Sequence, residues 1–540
     1  MRASKISVQD IDHSGIVAGI IDQMGLVEQV NQRLGQHPLQ IVSPGQAVKA
    51  MILNGLGFVS APLYLFEQFF VGKATEHLIG EGIQPEHLND DRIGRVLDEL
   101  FEAGLTEVFV EIALSAAKRF GVATTTLHLD SSSFHVDGKY ACQSASQTAQ
   151  MRTIAITHGY SRDHRPDLKQ FVVDLMCSGD GDIPLYLRVA DGNEADKAVF
   201  AQLLRQFKSQ LNFESLFVAD SALYCQENLY ALSGLRWLSR VPATLSQAKE
   251  RLQGTPAEAF VASRMSGYRM ARTQSQYAGV EQRWLVVESE ARKASDLQHL
   301  GEQVAKHYQR VQSQLNQLSR QAFACEADAR GAANQLEKAW RYHCFTQVNV
   351  IERVPKAKRG RPRKDTTPPT QRQYFVQAIL EQDAGAIAIE TQRAGRFILA
   401  TNVLDPQILS DDDLLGQYKA QQSTERGFRF LKDPLFFTSS VFLKSPHRVA
   451  ALAMVMGLCL LVYSLGQRLL RHALSQSKQS LKNQLNKPTQ MPTLRWIFQC
   501  FQSVHLVTMD NIKQIANLTE ERQQILRFLG AACQKYYLLV

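Results

Sequence analysis

The sequence predicts a mixed α/β catalytic domain interrupted by a largely β insertion, with a helical N-terminal domain and a helical C-terminal region. Three observations carry this. Two short apolar runs, TTTLHLD (124–130) and SLFVAD (215–220), have strand composition, and each closes on an aspartate. QFVVDLMC (170–177) and PLYLRVA (184–190) read as strands around the Gly/Asp-rich turn SGDGD, and EADKAVFAQLLRQFKSQL (194–211) has helical spacing before the next strand. Residues 1 to about 115 read as helical.

Composition sets the outer limits. A chain of 540 residues can hold several domains with buried cores. Apolar residues make up 45% and charged residues 21%, which excludes a disordered or low-complexity protein. The net charge of +8 suits a polyanionic partner, although basic proteins without one are common. The eight cysteines include no CxxC pair, so neither a zinc finger nor a disulfide framework is expected, and a reducing cytoplasm is. The N-terminus shows no secretory signal. VAALAMVMGLCLLVYSL (449–465) is at the lower length limit for a membrane span; with no second such run, a buried core helix is expected and no membrane partner.

Taken in order, SPGQAVKAMILNGLGF starts a helix with a capping box, Ser43 to Gln46, and Pro44 at the first helical position. DDRIGRVLDELFEAG repeats Ile93, Val96, Leu97 and Leu100 at helical spacing. A long polar helix is expected near 295–322, with Leu297, Val304, Val311 and Leu318 seven apart as a short hairpin or coiled-coil seam. YFVQAILEQ, GAIAIET and RFILATN read as three strands, and helical character is expected from about 411 to the end. These readings divide the chain into a helical domain (1–118), a first catalytic part (119–229), an insertion (230–405), a second catalytic part (406–470) and a helical C-terminal region (471–540). Within the insertion, VPKAKRGRPRKDTTPP (354–369) has no core former and reads as a solvated linker or loop. Its RGRP core resembles an AT-hook, whose extended arginines suit a narrow minor groove; a basic surface linker accounts for it equally well.

Carboxylates at strand ends point into the crevice where α/β sheets bind ligands. Asp130 and Asp220 both take that position, and a third acid would complete an all-oxygen ligand set for Mg²⁺ or Mn²⁺. An aspartate after a strand is more commonly a turn or cap residue. The third acid is sought on YKAQQSTERGFRFLK (418–432). At about 100° per residue on one helix, Tyr418, Gln421, Glu425, Arg429 and Lys432 fall within roughly 80° of one another. Such a face suits either water or a phosphate backbone with its metal.

The spacing Tyr, two residues, polar residue, three residues, Glu, six residues, Lys resembles the YREK signature of bacterial insertion-sequence DDE transposases. LHLDSSSFHVDGKY resembles their first catalytic strand and FVADSALYCQENL their second; GYSRDHRPDLKQF, ADGNEADK and the helical leader resemble one branch of that family. The resemblance implies a ribonuclease-H-like domain in which Asp130, Asp220 and Glu425 bind two Mg²⁺ ions, replaceable by Mn²⁺. It implies that Tyr418 and Lys432 contact phosphate, and that the partner is double-stranded DNA, both terminal inverted repeats and target. A homodimer on paired ends and a hairpin intermediate are known in related enzymes. Gln421 stands where the signature has Arg, and an amide cannot replace a guanidinium clamp; Arg429, or Arg426 at the edge of the face, is the expected substitute. If the basic loop binds DNA, Lys356, Lys358, Arg359, Arg361, Arg363 and Lys364 are its contacts.

Competing residues are few. Asp174 is the chief rival metal ligand, but its mid-strand position favours a buried hydrogen-bonded role. His128 reads as a satisfied core histidine; His135, His158 and His164 make no zinc set; Glu390 closes a strand-like run without the signature following it. The alternatives to transposition are a nuclease of the same fold and a catalytically silent DNA-binding protein.

Overall fold

The computed structural model describes residues 6–58, 61–136, 140, 153–160, 165–194, 214–232, 234–354, 372–433, 443 and 445–539. The basic-loop residues Lys356, Lys358, Arg359, Arg361, Arg363 and Lys364, and all but the first residue of the helix expected at 194–211, lie outside them. The chain divides into two bodies: residues 1–239, 277–280 and 413–540, and residues 240–276 and 281–412.

In the first body, strand Thr126–Val136 pairs antiparallel with Lys169–Ser178, which pairs antiparallel with Pro184–Ala190. On its other side it pairs in parallel with Leu216–Ala219, itself parallel to Arg236–Arg240. Numbered along the chain, the order is third, second, first, fourth, fifth: the ribonuclease-H-like arrangement. Almost every residue of these strands is buried, as expected for a sheet covered on both faces.

The capping box at Ser43 forms as read, with Gln46 N–H donating to Ser43 Oγ and Ser43 N–H donating to Gln46 Oε1, and opens helix Pro44–Gly55. Helix Asp90–Glu102 buries Ile93, Val96, Leu97 and Leu100. The long apolar run lies in helix Pro446–Ser477; 89% of its most apolar window is buried inside the protein, so it is the core helix of this body.

Two readings of the chain ends are corrected. Strand Ile6–Asp10 opens the leader and pairs with His505–Met509, which pairs with Ile512–Ala516. Helical character therefore does not run unbroken to the C-terminus. The three strands are five residues each, too short for periodicity to separate them from helical turns, and the first finds its partner almost the whole chain away. The same body joins the two ends through a buried polar cluster: Lys49 Nζ donates to Asp22 Oδ1 (2.7 Å) and Tyr536 Oη (2.8 Å), and Tyr536 donates to Asp22 Oδ2 (2.6 Å).

In the second body, Arg396–Thr401 pairs antiparallel with Val280–Ser289, the second arm of a hairpin with Tyr268–Tyr277. His343–Arg353 pairs with Gln373–Gln382 as a separate ribbon. The long polar helix is Glu290–Leu318, with Val304, Val311, Leu315 and Leu318 buried, followed by helix Glu326–Glu337. Leu318, Ala329, Ala333 and Val376 form a small core between these helices and the ribbon. GAIAIET is not a strand: Ala384–Arg393 is helical. Asp383 caps it, accepting from Ala386 N–H (3.0 Å), and a capped, alanine-rich stretch needs no cross-strand partner. Glu390 thus lies on a helix and pairs with Arg341 and Arg393.

Candidate active site

The strand expected to end at Asp130 continues six residues further, through three serines, to Val136. Asp130 is therefore mid-strand. What ends beside it is the parallel ladder: Leu129 is level with Ala219, the last residue of its strand, so Asp130 and Asp220 leave that ladder side by side. Each half-buried carboxylate accepts a backbone N–H, Asp130 from Ser131 (2.8 Å) and Asp220 from Ala222 (2.8 Å).

Alternation along the strand decides the rest. His128, Asp130 and Phe134 share one face, and their cross-strand partners Cys177, Leu175 and Phe171 share it with them. The helix Gln422–Leu431 packs on this face. A Cβ at Gly427 would stand 3.0 Å from Leu175 Cδ2, so glycine lets the helix approach the sheet opposite Asp130. Phe428 meets Phe134 at 6.4 Å between ring centroids, and Lys432 Nζ lies 5.4 Å from the centre of the Phe134 ring.

The single helix expected over 418–432 is two. Asp411–Lys419 ends at a turn, and a new helix begins after Gln421. Tyr418 belongs to the first, Gln421 caps the second, and only Glu425, Arg429 and Lys432 keep the common face that continuous winding predicted. Lys432 reaches back to Phe134 of the sheet, but Glu425 and Arg429 face away from it. Thr424, Gly427, Phe428 and Leu431 are buried, whereas Glu425, Arg426 and Arg429 are exposed. Their spacing of three, one and three was legible in the sequence as an apolar stripe, and the polar residues between them drew the reading away from it. Arg426 is held by Asp182 (2.8 Å) in the turn after Ser178; Arg429 has no ion-pair partner among the described residues.

Asp174 is the cross-strand partner of Ser131 and faces the opposite side of the sheet. It accepts from Ser131 Oγ–H (2.6 Å) and Arg188 Nε–H (2.8 Å), and Arg188 also pairs with Glu194 (2.9 Å). Burial pushes the Asp174 carboxyl up, with Arg188 and Ser131 opposing. His128 is fully buried, but not satisfied: neither ring nitrogen has a hydrogen-bond partner among the described residues. Burial, helped by the nearby charge of Arg426, lowers its pKa to about 4 and keeps it neutral. Burial likewise pushes the Cys177 thiol well up.

Among the described residues no three His, Cys, Asp or Glu side chains stand in metal-holding geometry. Asp130, Asp220 and Glu425 are thus not gathered into a closed cage. His135 and His158 form no such group either, and His164 lies outside the described residues. The donor chemistry suits a hard divalent cation, since Asp130 and Asp220 offer half-exposed carboxylate oxygens.

A ribonuclease-H-like sheet with two aspartates paired beside its central strands defines a class of enzymes that cut or transfer nucleic acid strands. Residues 124–462 match the family described as Transposase DDE domain, and the chain belongs to that family: it is a transposase. The family's enzymes are polynucleotidyl transferases and nucleases that use divalent metal ions. Residues 6–114 match a domain of unknown function, DUF4277. A comparison with curated proteins found none that matches. Among solved structures, the chain is similar to a piggyBac transposase synaptic complex with hairpin DNA, determined by cryo-EM. The two are 7% identical over 99% of this chain and 88% of that one, with a TM-score of 0.38; a likeness at that level carries no argument about chemistry.

Proposed function

We propose that this transposase cuts double-stranded DNA at the terminal inverted repeats of an insertion sequence and joins the freed 3′-OH ends to target DNA, in the bacterial cytoplasm and as a homodimer on paired ends. The side-by-side exit of Asp130 and Asp220 from the parallel ladder carries the reading, with Glu425 on the helix packed over the same face as the third carboxylate. Two Mg²⁺ ions, or Mn²⁺, held by these acids would activate the attacking oxygen and offset charge on the leaving oxygen.

The chain's own groups supply the rest. Arg429 and Lys432, on the same helical face as Glu425, offer cations to the phosphate next to the cut; Gln421 and Tyr418 flank it from the helix start and the preceding helix. Arg429 takes the role of the missing signature arginine, because Arg426 is already committed to Asp182. Asp174 is left out of the chemistry by its face and its partners. The basic loop, from Lys356 to Lys364, adds sequence-independent grip on DNA.

Linear DNA carrying matched inverted ends, incubated with the purified chain and Mg²⁺, tests the reading. Joined products in target DNA are expected. Cleavage without joining would make the protein a nuclease, and DNA binding with neither would make it a silent DNA-binding protein.

A further inference from the structure

The loop that carries Asp220 is gripped from one strand and from one hairpin tip. Strand Arg236–Arg240 presents Trp237 and Ser239 on the same side. Ser239 Oγ–H donates to the Asp220 carbonyl (2.7 Å), and Trp237 meets the buried Tyr224 ring edge-on at 6.2 Å. Between them the loop folds on itself: Leu223 N–H donates to the Asp220 carbonyl, Tyr224 N–H to the Ser221 carbonyl, and Ala222 N–H to the Asp220 carboxylate. One face of Tyr224 is covered by Tyr277, stacked at 5.3 Å with the ring planes 15° apart.

Tyr277 comes from far along the chain. It is the last residue of strand Tyr268–Tyr277 and is followed by a two-residue turn in which Ala278 (φ 55°) and Gly279 (φ 74°) are both left-handed. Such a turn matches the twist of the hairpin and leaves its tip little freedom. The tip, residues 277–280, belongs to the body that holds the catalytic sheet, although both arms of the hairpin belong to the other.

We propose that Tyr277 is a positioning residue for the transposase reaction: stacked on Tyr224, the hairpin tip holds the loop that sets the Asp220 carboxylate beside Asp130. The inference rests on the assignment of Asp220 to the metal-binding acids. Tyr277 touches neither the reacting phosphate nor the acids themselves. Its ring acts through Tyr224, four residues after Asp220.

The test uses the full chain and two readouts: Mg²⁺ binding by titration calorimetry, and the Mg²⁺ concentration that half-saturates cleavage of linear DNA bearing element ends. Tyr277→Ala is expected to weaken both about tenfold, the equilibrium equivalent of losing one aromatic pair, with affinity for the DNA unchanged. Tyr277→Phe should restore both to wild-type values. If the alanine variant does not fold, Tyr277→Leu, which keeps apolar bulk without the stack, takes its place with the same expectation. Asp220→Asn separates the two ideas. Should it bind Mg²⁺ and cleave as wild type does, the assignment of the acids fails. Should it lose both while the folded Tyr277 variant keeps both, the assignment stands and the positioning role is overturned.

Discussion

Asp130 and Asp174 lie on paired neighbouring strands, one residue out of register, and face opposite sides of the sheet. The Asp130 side keeps a half-exposed carboxylate that accepts the neighbouring Ser131 amide, beneath a helix whose exposed edge carries Glu425 and Arg429. On the other side, Asp174 is only 3% exposed and is fixed by a hydroxyl, a guanidinium and, through Arg188, a second acid. A fully committed carboxylate stabilises a fold and has little left to offer a ligand. One that stays half-exposed is open to solvent and to a ligand. The strand's period of two assigns the two roles.

The largest effects should come from the available side. Asp130→Asn, Asp220→Asn and Glu425→Gln should each lower cleavage at least about a thousandfold, the scale of lost metal-assisted charge stabilisation. Each should shift stability by no more than about 0.5 kcal/mol, as expected for near-isosteric changes at side chains that are not buried. An Asp130→Asn protein cutting DNA at the wild-type rate would break the comparison outright.

Arg429→Ala should abolish detectable strand cleavage with an unchanged urea midpoint. Arg426→Ala, which loses only the exposed pair with Asp182, should cost at most about 1 kcal/mol and leave cleavage within a few-fold. Equal activity in both variants would show that neither arginine replaces the signature residue.

On the committed side, Asp174→Asn should lower stability by about 3 kcal/mol, read from urea unfolding, because Arg188 is left half-buried with only Glu194. Cleavage per folded molecule should stay near wild type. A loss comparable to that of Asp130→Asn would move Asp174 into the metal site.

The smallest effect concerns pH. His13 and His128 are both buried and hydrogen-bonded poorly or not at all, and burial lowers each pKa from 6.5 to about 4. Between those values the unfolded chain binds protons that the folded chain refuses. Stability from these groups is therefore present above pH 6.5 and is lost as the pH falls towards 4, by up to about 1.4 kcal/mol per unit for each histidine. Urea midpoints at pH 7 and 5 check the slope, and His128→Leu should remove its share. An unchanged slope in that variant would mean the imidazole is solvated.

Much of this was legible in the sequence, for reasons that differ by element. The Ser43 cap, the helix at Asp90–Glu102 and the strands around SGDGD depend on neighbours within a few residues, and they form as read. Strand Ile6–Asp10 finds its partner His505–Met509 across almost the whole chain, and no local pattern announces that pairing. GAIAIET carried a strand's alternation and a helix's alanines at once, and the Asp383 cap decided between them. The stretch 418–432 was read as one helix because no proline or glycine marks the break at Ala420 and Gln421.

By itself the sequence determined the two aspartate strands, the helix bearing Glu425 and their order along the chain, because hydrophobic period and residue type are local properties. It also carried the family resemblance, through motifs that keep their spacing. Only the tertiary structure decided that Asp130 sits mid-strand beside Asp220, that Asp174 turns away, that Arg426 is already bound, and that Tyr277 from a distant hairpin rests on Tyr224. Each of those depends on strand register or on contacts between residues far apart in the chain, and the free energy that selects them comes from burying many side chains at once rather than from any one segment.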